Sequence, residues 1–131
     1  YVDRAATQRV TMTWLRPASA EPDSRAKRVR EIVEALGFAV LNRRLGRIAS
    51  SDNPPFVGAS GGKGELADTG ESTQINAVAK PGQWRRALSI IEQEQRRLLR
   101  HGVTTAELER EITQYRTALE AAVAASSTRT N

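Results

Sequence analysis

The chain has 131 residues, of which 39% are hydrophobic and 27% are charged, a balance typical of a globular domain with a core. Its formal net charge of +5 permits an acidic partner without requiring one, and no apolar run approaches the roughly 20 residues that cross a bilayer. Cysteine is absent and His101 is the only histidine, which excludes disulfides, cysteine-based zinc sites and zinc sites with two or three histidines from this chain alone.

The first part of the chain predicts a strand followed by a long helix. Apolar and polar residues alternate from Gln8 to Leu15, which is typical of a half-buried strand that ends at Pro17. After a cap at Asp23 or Ser24, apolar residues recur at intervals of three and four, so one face of the helix is expected on a core. That stripe consists of Val29, Ile32, Val33, Leu36, Val40, Leu41, Leu45 and Ile48.

The rest of the chain predicts two strands and two helices. After a turn at residues 51–55, the segments Phe56–Leu66 and Ser72–Lys80 are expected to pair as antiparallel strands. A helix over Gln83–His101 is expected to end at Gly102, and Thr104 and Glu107 have the spacing of a capping box for the last helix. The apolar stripes of these helices are Trp84, Ala87, Leu88, Ile91, Leu98 and Leu99, and then Leu108, Ile112, Tyr115, Leu119 and Val123.

This order of elements predicts an α+β fold in which an antiparallel sheet packs against helices. We expect a single domain over residues 1–131, with the start of a linker at residues 126–131, where the chain becomes polar. Because the chain starts with Tyr-Val-Asp, shows no signal-peptide pattern and ends in this polar run, we expect it to be a piece of a longer protein.

The residues themselves give little support to catalysis. The glycine cluster around Lys63 fails the phosphate-loop pattern, since Val57 occupies the position of the first glycine and Gly64 that of the hydroxyl residue. His101 is placed to stabilise a helix C-terminus, and no serine has a visible histidine and aspartate partner. The glutamates of the last two helices, interleaved with arginines, predict solvated faces with i,i+4 pairs rather than metal ligands. These glutamates are Glu92, Glu94, Glu107, Glu109 and Glu111.

Clustered arginines leave nucleic-acid binding open as an alternative function. Against it, the chain has only six aromatic residues, and Trp14 and Trp84 lie on apolar stripes, where a position in the core is expected. The clusters consist of Arg43, Arg44, Arg47, Arg85, Arg86, Arg96, Arg97 and Arg100.

Three segments in a fixed order carry a resemblance to a known family. They are "LNRRL" followed by "PPF", the Lys-x-Gly-x-Trp pattern that starts at Lys80, and "HGVTTAELER" from His101 to Arg110. From about Thr7 to Asn131, the chain resembles the pitrilysin/insulinase (M16) zinc metallopeptidases. The resemblance implies repeated α+β domains of the LuxS/MPP-like type, arranged in two halves around a chamber.

In that family the zinc lies in the first domain, on an inverted His-x-x-Glu-His motif that this chain lacks. The resemblance therefore implies a non-catalytic companion domain, with no cofactor of its own and no catalytic or metal-binding residue, in a bacterial parent whose zinc is bound by another domain. In the catalytic half, an arginine and a downstream tyrosine hold the substrate. Here Arg47 is followed by Phe56, which has no hydroxyl and lies further along, so the second domain of the N-terminal half is the better match.

The family also suggests a substrate-binding segment. The equivalent strand of the second domain lies at an exosite that pairs with the substrate, so the candidate substrate-binding residues are Phe56, Val57, Gly58, Ala59 and Ser60, acting by strand addition. An ordinary inner strand is the alternative interpretation of this segment.

The resemblance also implies partners. They are the other domains of the parent chain and a peptide substrate, with neither nucleic acid nor membrane. Parents of this kind are often periplasmic. A third alternative is an interaction domain from a relative without the zinc motif.

Overall fold

A computed structural model describes residues 7–66 and 69–127 of the chain, which form one antiparallel sheet and three long helices. The strands lie in the order β1-β3-β2, and β3 pairs antiparallel with both neighbours. The predicted α+β class with an antiparallel sheet is therefore confirmed. The elements are β1 (Gln8–Pro17), α1 (Arg25–Ala49), β2 (Phe56–Leu66), β3 (Gly70–Ala79), α2 (Trp84–His101) and α3 (Thr105–Ser127).

One face of the sheet packs against α1 and α2. The alternation predicted for β1 is present, because Val10, Met12 and Trp14 pack on the core while the residues between them are exposed. On the opposite face the register aligns Thr11, Asn76 and Ser60 across the three strands, so this face is polar. The buried core cluster consists of Leu41, Leu45, Phe56, Ile75, Ala77, Ala79, Ala87 and Ile91.

Helix α1 packs its apolar stripe on the core only in its C-terminal half. Its N-cap is Ser24, whose side-chain oxygen accepts a hydrogen bond of 3.1 Å from the backbone N–H of Lys27. Leu41 and Leu45 are fully buried, but the stripe from Val29 to Val33 is exposed. The prediction of one continuous buried stripe is therefore wrong for the first half of the helix, because packing against the core starts at Phe38.

Helix α2 ends at His101 as predicted and begins at Trp84, one residue after the predicted start, but two members of its apolar stripe are exposed. Trp84 is 43% exposed, because it is the first residue of the helix, and the Arg85 guanidinium lies 5.0 Å from its ring centroid. Its predicted place in the core is therefore wrong. Leu99 is 73% exposed, because it lies in the last turn at the rim of a groove beside Trp14 and Phe38.

Helix α3 starts with the predicted capping box. The Thr104 hydroxyl accepts a 3.3 Å hydrogen bond from the Glu107 N–H, and the Glu107 carboxylate accepts a 3.0 Å hydrogen bond from the Thr104 N–H. Gly102 before it has a φ of 68°, a backbone conformation that favours glycine. The predicted apolar stripe is exposed from Ile112 to Val123, because α3 meets α1 mainly through charged residues. The predicted linker at 126–131 is helical to Ser127, and its last four residues lie outside the described part of the chain.

Candidate functional site

Strand β2 lies at an edge of the sheet, and the candidate segment from Phe56 to Ser60 forms its first half. It pairs with β3 on one side, and among residues 7–66 and 69–127 no strand pairs with the other side. The segment is firmly anchored at its start, because Phe56 is fully buried and the carbonyl oxygen of Pro55 accepts a 2.9 Å hydrogen bond from the Lys80 N–H. The alternative of an ordinary inner strand therefore does not describe the sheet formed by these residues.

A β-bulge divides the candidate segment. The register passes from Phe56 opposite Ala79 to Gly58 opposite Val78, which leaves Val57 as the extra residue without a partner on β3. The Val57 side chain is 70% exposed. Bulges bend an edge strand and re-aim side chains, so Val57 faces solvent instead of the core.

The side chain of Asn42 on α1 binds the backbone of β2 one residue beyond the candidate segment. The amide nitrogen of Asn42 donates a 3.0 Å hydrogen bond to the Gly61 carbonyl oxygen, and the Gly61 N–H donates a 2.7 Å hydrogen bond to the Asn42 amide oxygen. Both backbone groups of Gly61 are thus engaged on the side away from β3. Backbone groups alternate in direction along an antiparallel strand, so those of Ala59 and Lys63 also point towards the free edge.

The glycines of β2 differ in what surrounds them. A Cβ placed at Gly61 would lie 3.1 Å from Cδ2 of Leu41 and 3.2 Å from Cγ1 of Ile75, so the missing side chain lets α1 lie close to the strand. At Gly58 and Gly62 a Cβ would meet no atom within 4 Å, so internal packing does not explain those two glycines. Both lie on the polar face of the sheet.

The arginines at the end of α1 connect it to α3. Arg44 donates two hydrogen bonds to the Glu107 carboxylate, of 2.8 Å and 2.7 Å, and Arg43 forms an ion pair with Glu111 and donates a 2.7 Å hydrogen bond to the Gln114 side chain. Hydrogen bonds from the Arg44 guanidinium and from Thr104 hold the pKa of Glu107 well below its usual range. These residues therefore form a charged contact between the two helices.

Two of the glutamates that the sequence places on solvated faces are instead buried. Glu94 is 6% exposed and pairs with Arg97, and Glu111 is 5% exposed. The prediction is wrong for Glu111 because α1 supplies its partner, Arg43, from a distant part of the sequence. It is wrong for Glu94 because this residue faces α1, where it lines the same pocket as Arg44 and Arg47. The predicted i,i+4 pairing is confirmed for Glu92 and Arg96.

The eight clustered arginines therefore do not form one free basic surface. Arg43 and Arg44 are largely used in the contact with α3, and Arg47 lies 3.6 Å from Glu107 while remaining 66% exposed. The arginines on α2 are exposed, namely Arg85, Arg86, Arg96, Arg97 and Arg100. Arg47 and Phe56, compared above with a substrate-holding pair, do not act together, since Phe56 lies in the core.

A groove of about 410 Å³ lies between α1 and the far end of β2, with Phe38 and Lys63 among its lining residues. The Lys63 ammonium lies 2.9 Å from the Glu71 carboxylate and 3.2 Å from that of Glu34. The hydrogen bond to Glu71, aided by the one to Glu34, raises the pKa of Lys63. Held in its charged form, Lys63 is unsuited to act as a nucleophile and serves as a bridge from α1 to the sheet.

The described residues bring together no group of three histidine, aspartate or glutamate side chains suited to a metal ion. His101 is exposed in the last turn of α2, as the sequence predicts. No helix within residues 7–66 and 69–127 has the length and apolar character needed to span a membrane. No protein-family model matches the chain, and no curated protein matches it either.

Asn42 is the residue of the site that sequence reasoning missed. Asn42 lies between the core residue Leu41 and two arginines, and no motif in "LNRRL" distinguishes it from the polar residues of a helix surface. The only local signal is a polar residue of modest helix propensity beside fully buried positions, where an amide usually has a specific partner.

Proposed function

We propose that this chain is a non-catalytic companion domain of a bacterial M16-like zinc metallopeptidase, with the LuxS/MPP-like type of fold. It forms part of the wall of the proteolytic chamber and contacts peptide substrate, while another domain of the parent binds zinc and hydrolyses the peptide bond. Its partners are the other domains of the parent and the peptide. The observation that carries the proposal is the position of the candidate segment, Phe56–Ser60, on an edge of the sheet with which no other described strand pairs.

The edge has the features that strand addition requires. Ala59 directs its backbone N–H and C=O towards the free side, since it lies two residues from Gly61 in an unbroken register. Phe56 fixes the strand on the core, so the edge is ordered before a partner arrives and little conformational entropy is lost on binding.

The exposed arginines of α2 favour one alternative, the binding of nucleic acid through phosphate contacts. Two observations weaken it. Arg96 and Arg97 are paired with Glu92 and Glu94, and the α1 arginines lie at the contact with α3. The third alternative, an interaction domain whose parent lacks zinc, would use the same edge strand.

A proline at position 59 tests strand addition without breaking the sheet. Because the Ala59 N–H points away from β3, Ala59→Pro removes a bond available to the partner and none made to β3. The preceding residue is Gly58, which tolerates the restriction that proline imposes on its neighbour. Ala59→Ser keeps the N–H and is the matched control.

Binding of a fluorescein-labelled, Thr/Val-rich extended peptide is followed by anisotropy. We expect Ala59→Pro to weaken binding about fivefold or more and Ala59→Ser to leave it unchanged, since a hydrogen bond lost at an interface is worth about 1 kcal/mol. Equal affinity for all three proteins contradicts strand addition at this edge. A parallel titration with a short DNA duplex, repeated at rising salt, distinguishes peptide binding from nucleic-acid binding. Nucleic-acid binding predicts a tight complex with DNA whose affinity falls steeply as salt rises.

A further inference from the structure

We propose that Asn42 stops an added strand at Gly61 and so limits the peptide-binding edge to the segment before it. This inference rests on the proposed function, because it concerns the length and position of the peptide that pairs with β2. The structural basis is the pair of hydrogen bonds, of 3.0 Å and 2.7 Å, between the Asn42 amide and the backbone of Gly61.

A primary amide can imitate one residue of a neighbouring strand. Its oxygen accepts a hydrogen bond and its nitrogen donates one, which are the two functions that a strand residue offers across an antiparallel pair. At Gly61 the Asn42 side chain supplies both. A peptide cannot pair with Gly61 while these bonds are in place.

The backbone beneath Asn42 is held firmly. Leu41 and Leu45, one residue before it and three after it, are fully buried in the core, so this part of α1 cannot move away without exposing them. The absence of a side chain at Gly61 brings the helix this close, as the 3.1 Å separation between a hypothetical Cβ and Leu41 Cδ2 shows. Gly61 and Asn42 therefore act together to cover one point of the edge.

The edge of β2 before Gly61 differs from the edge beyond it in what it offers a peptide. Before it, Ala59 offers free backbone groups, and the exposed Val57 of the bulge adds an apolar contact. Beyond it, the next edge position is Lys63, whose side chain is tied to Glu34 of α1 and to Glu71. A peptide is thus accepted over Phe56–Ser60, and either ends or bends away at Asn42. Charged residues and covering elements are common means of protecting a sheet edge.

Amide hydrogen exchange, measured for each residue by NMR, tests whether Asn42 prevents a bound peptide from pairing beyond Gly61, an effect called the stop below. The probe is a Thr/Val-rich peptide with blocked ends and about ten residues, long enough to pair along the whole of β2. In the wild-type protein we expect the peptide to slow exchange at Ala59 about fivefold or more and to leave exchange at Lys63 unchanged. In Asn42→Ala, exchange should slow at both residues, and the affinity for this peptide should rise about tenfold, because further backbone bonds become available.

Asn76→Ala is the matched control. Asn76 lies on the central strand β3 and donates a 3.5 Å hydrogen bond to the Ser60 hydroxyl on the polar face, away from the backbone groups of Ala59 and Lys63 that point to the free side of β2. If Asn42→Ala fails to fold, Asn42→Asp replaces it. An aspartate still accepts from the Gly61 N–H but sets a carboxylate oxygen against the Gly61 carbonyl, so it weakens the stop with little change in shape.

The outcomes separate the two proposals. Slowed exchange at Lys63 in the wild-type protein overturns the stop and leaves the peptide-binding edge intact. If the peptide slows exchange at Ala59 but not at Lys63 in Asn42→Ala, the stop is again overturned and the peptide-binding edge is left intact. If exchange at Ala59 is slowed in no variant, the peptide-binding edge itself is refuted, and the stop is refuted with it.

Discussion

Replacing Gly61 by alanine should destabilise the domain, because the space for a side chain at this position is already filled. The added methyl carbon would lie 3.1 Å from Leu41 Cδ2, 3.2 Å from Ile75 Cγ1 and 3.4 Å from the Gln74 carbonyl oxygen. Leu41 and Ile75 are both fully buried core residues, so neither can move without disturbing others. Overpacking of this kind costs about 1–3 kcal/mol.

The neighbouring glycine provides the matched control. A Cβ at Gly62 would meet no atom within 4 Å, so Gly62→Ala should be neutral or should stabilise by up to about 1 kcal/mol through the unfolded chain. The two variants are compared by urea unfolding, followed by tryptophan fluorescence. With a slope of about 2 kcal/mol per molar urea, the midpoint of Gly61→Ala should lie roughly 1 M below that of Gly62→Ala.

A double-mutant cycle identifies the cause. If Leu41 is the obstacle, Leu41→Ala should relieve part of the cost of Gly61→Ala, with a coupling energy of at least about 0.5 kcal/mol. Equal midpoints for Gly61→Ala and Gly62→Ala would refute the reasoning, because α1 would then not lie against β2 at Gly61, and Asn42 could not reach its backbone.

Three further predictions follow from the same structure. Glu107 has a lower pKa in the folded than in the unfolded chain, so its contribution to stability is complete above its ordinary pKa of 4.5 and is lost as the pH falls below it. Glu107→Gln should therefore flatten the acid side of a plot of unfolding free energy against pH, and an unchanged slope would contradict the pairing with Arg44. Phe56→Ala should cost about 3–5 kcal/mol in thermal or urea unfolding, whereas Val57→Ala, at a side chain that is 70% exposed, should cost less than about 0.5 kcal/mol. Metal analysis and peptidase assays on the isolated chain should show neither stoichiometric zinc nor chelator-sensitive cleavage, and either finding would count against a companion domain.

The secondary structure could be predicted from the sequence because its signals are local. Phe56–Leu66 is a strand with the bounds predicted, and the capping box at Thr104 and Glu107 marks the start of α3. Periodicity and capping report on neighbouring residues only. They therefore place elements well and say little about which elements meet.

The errors arise where one element depends on another. Val29 and Val33 have helical apolar spacing and are exposed, because residues 7–66 and 69–127 place no element over that face of α1. Glu111 was expected on a solvated face and is buried against Arg43, a residue far away in the sequence. Within the candidate site, the segment itself came from a family resemblance, but its place at the edge depends on strand order, and the role of Asn42 depends on how α1 crosses β2. No local pattern contains that information.

The central claim is that this domain contacts extended peptide along the first half of β2. The most direct test is a map of backbone amide chemical-shift changes when an unlabelled Thr/Val-rich peptide is added to the isotope-labelled chain. We predict that the largest changes lie in Phe56–Ser60 and that the amides of α2 around Arg86 and Arg100 remain unchanged. A map centred on those arginines, or one without changes in β2, would contradict the claim.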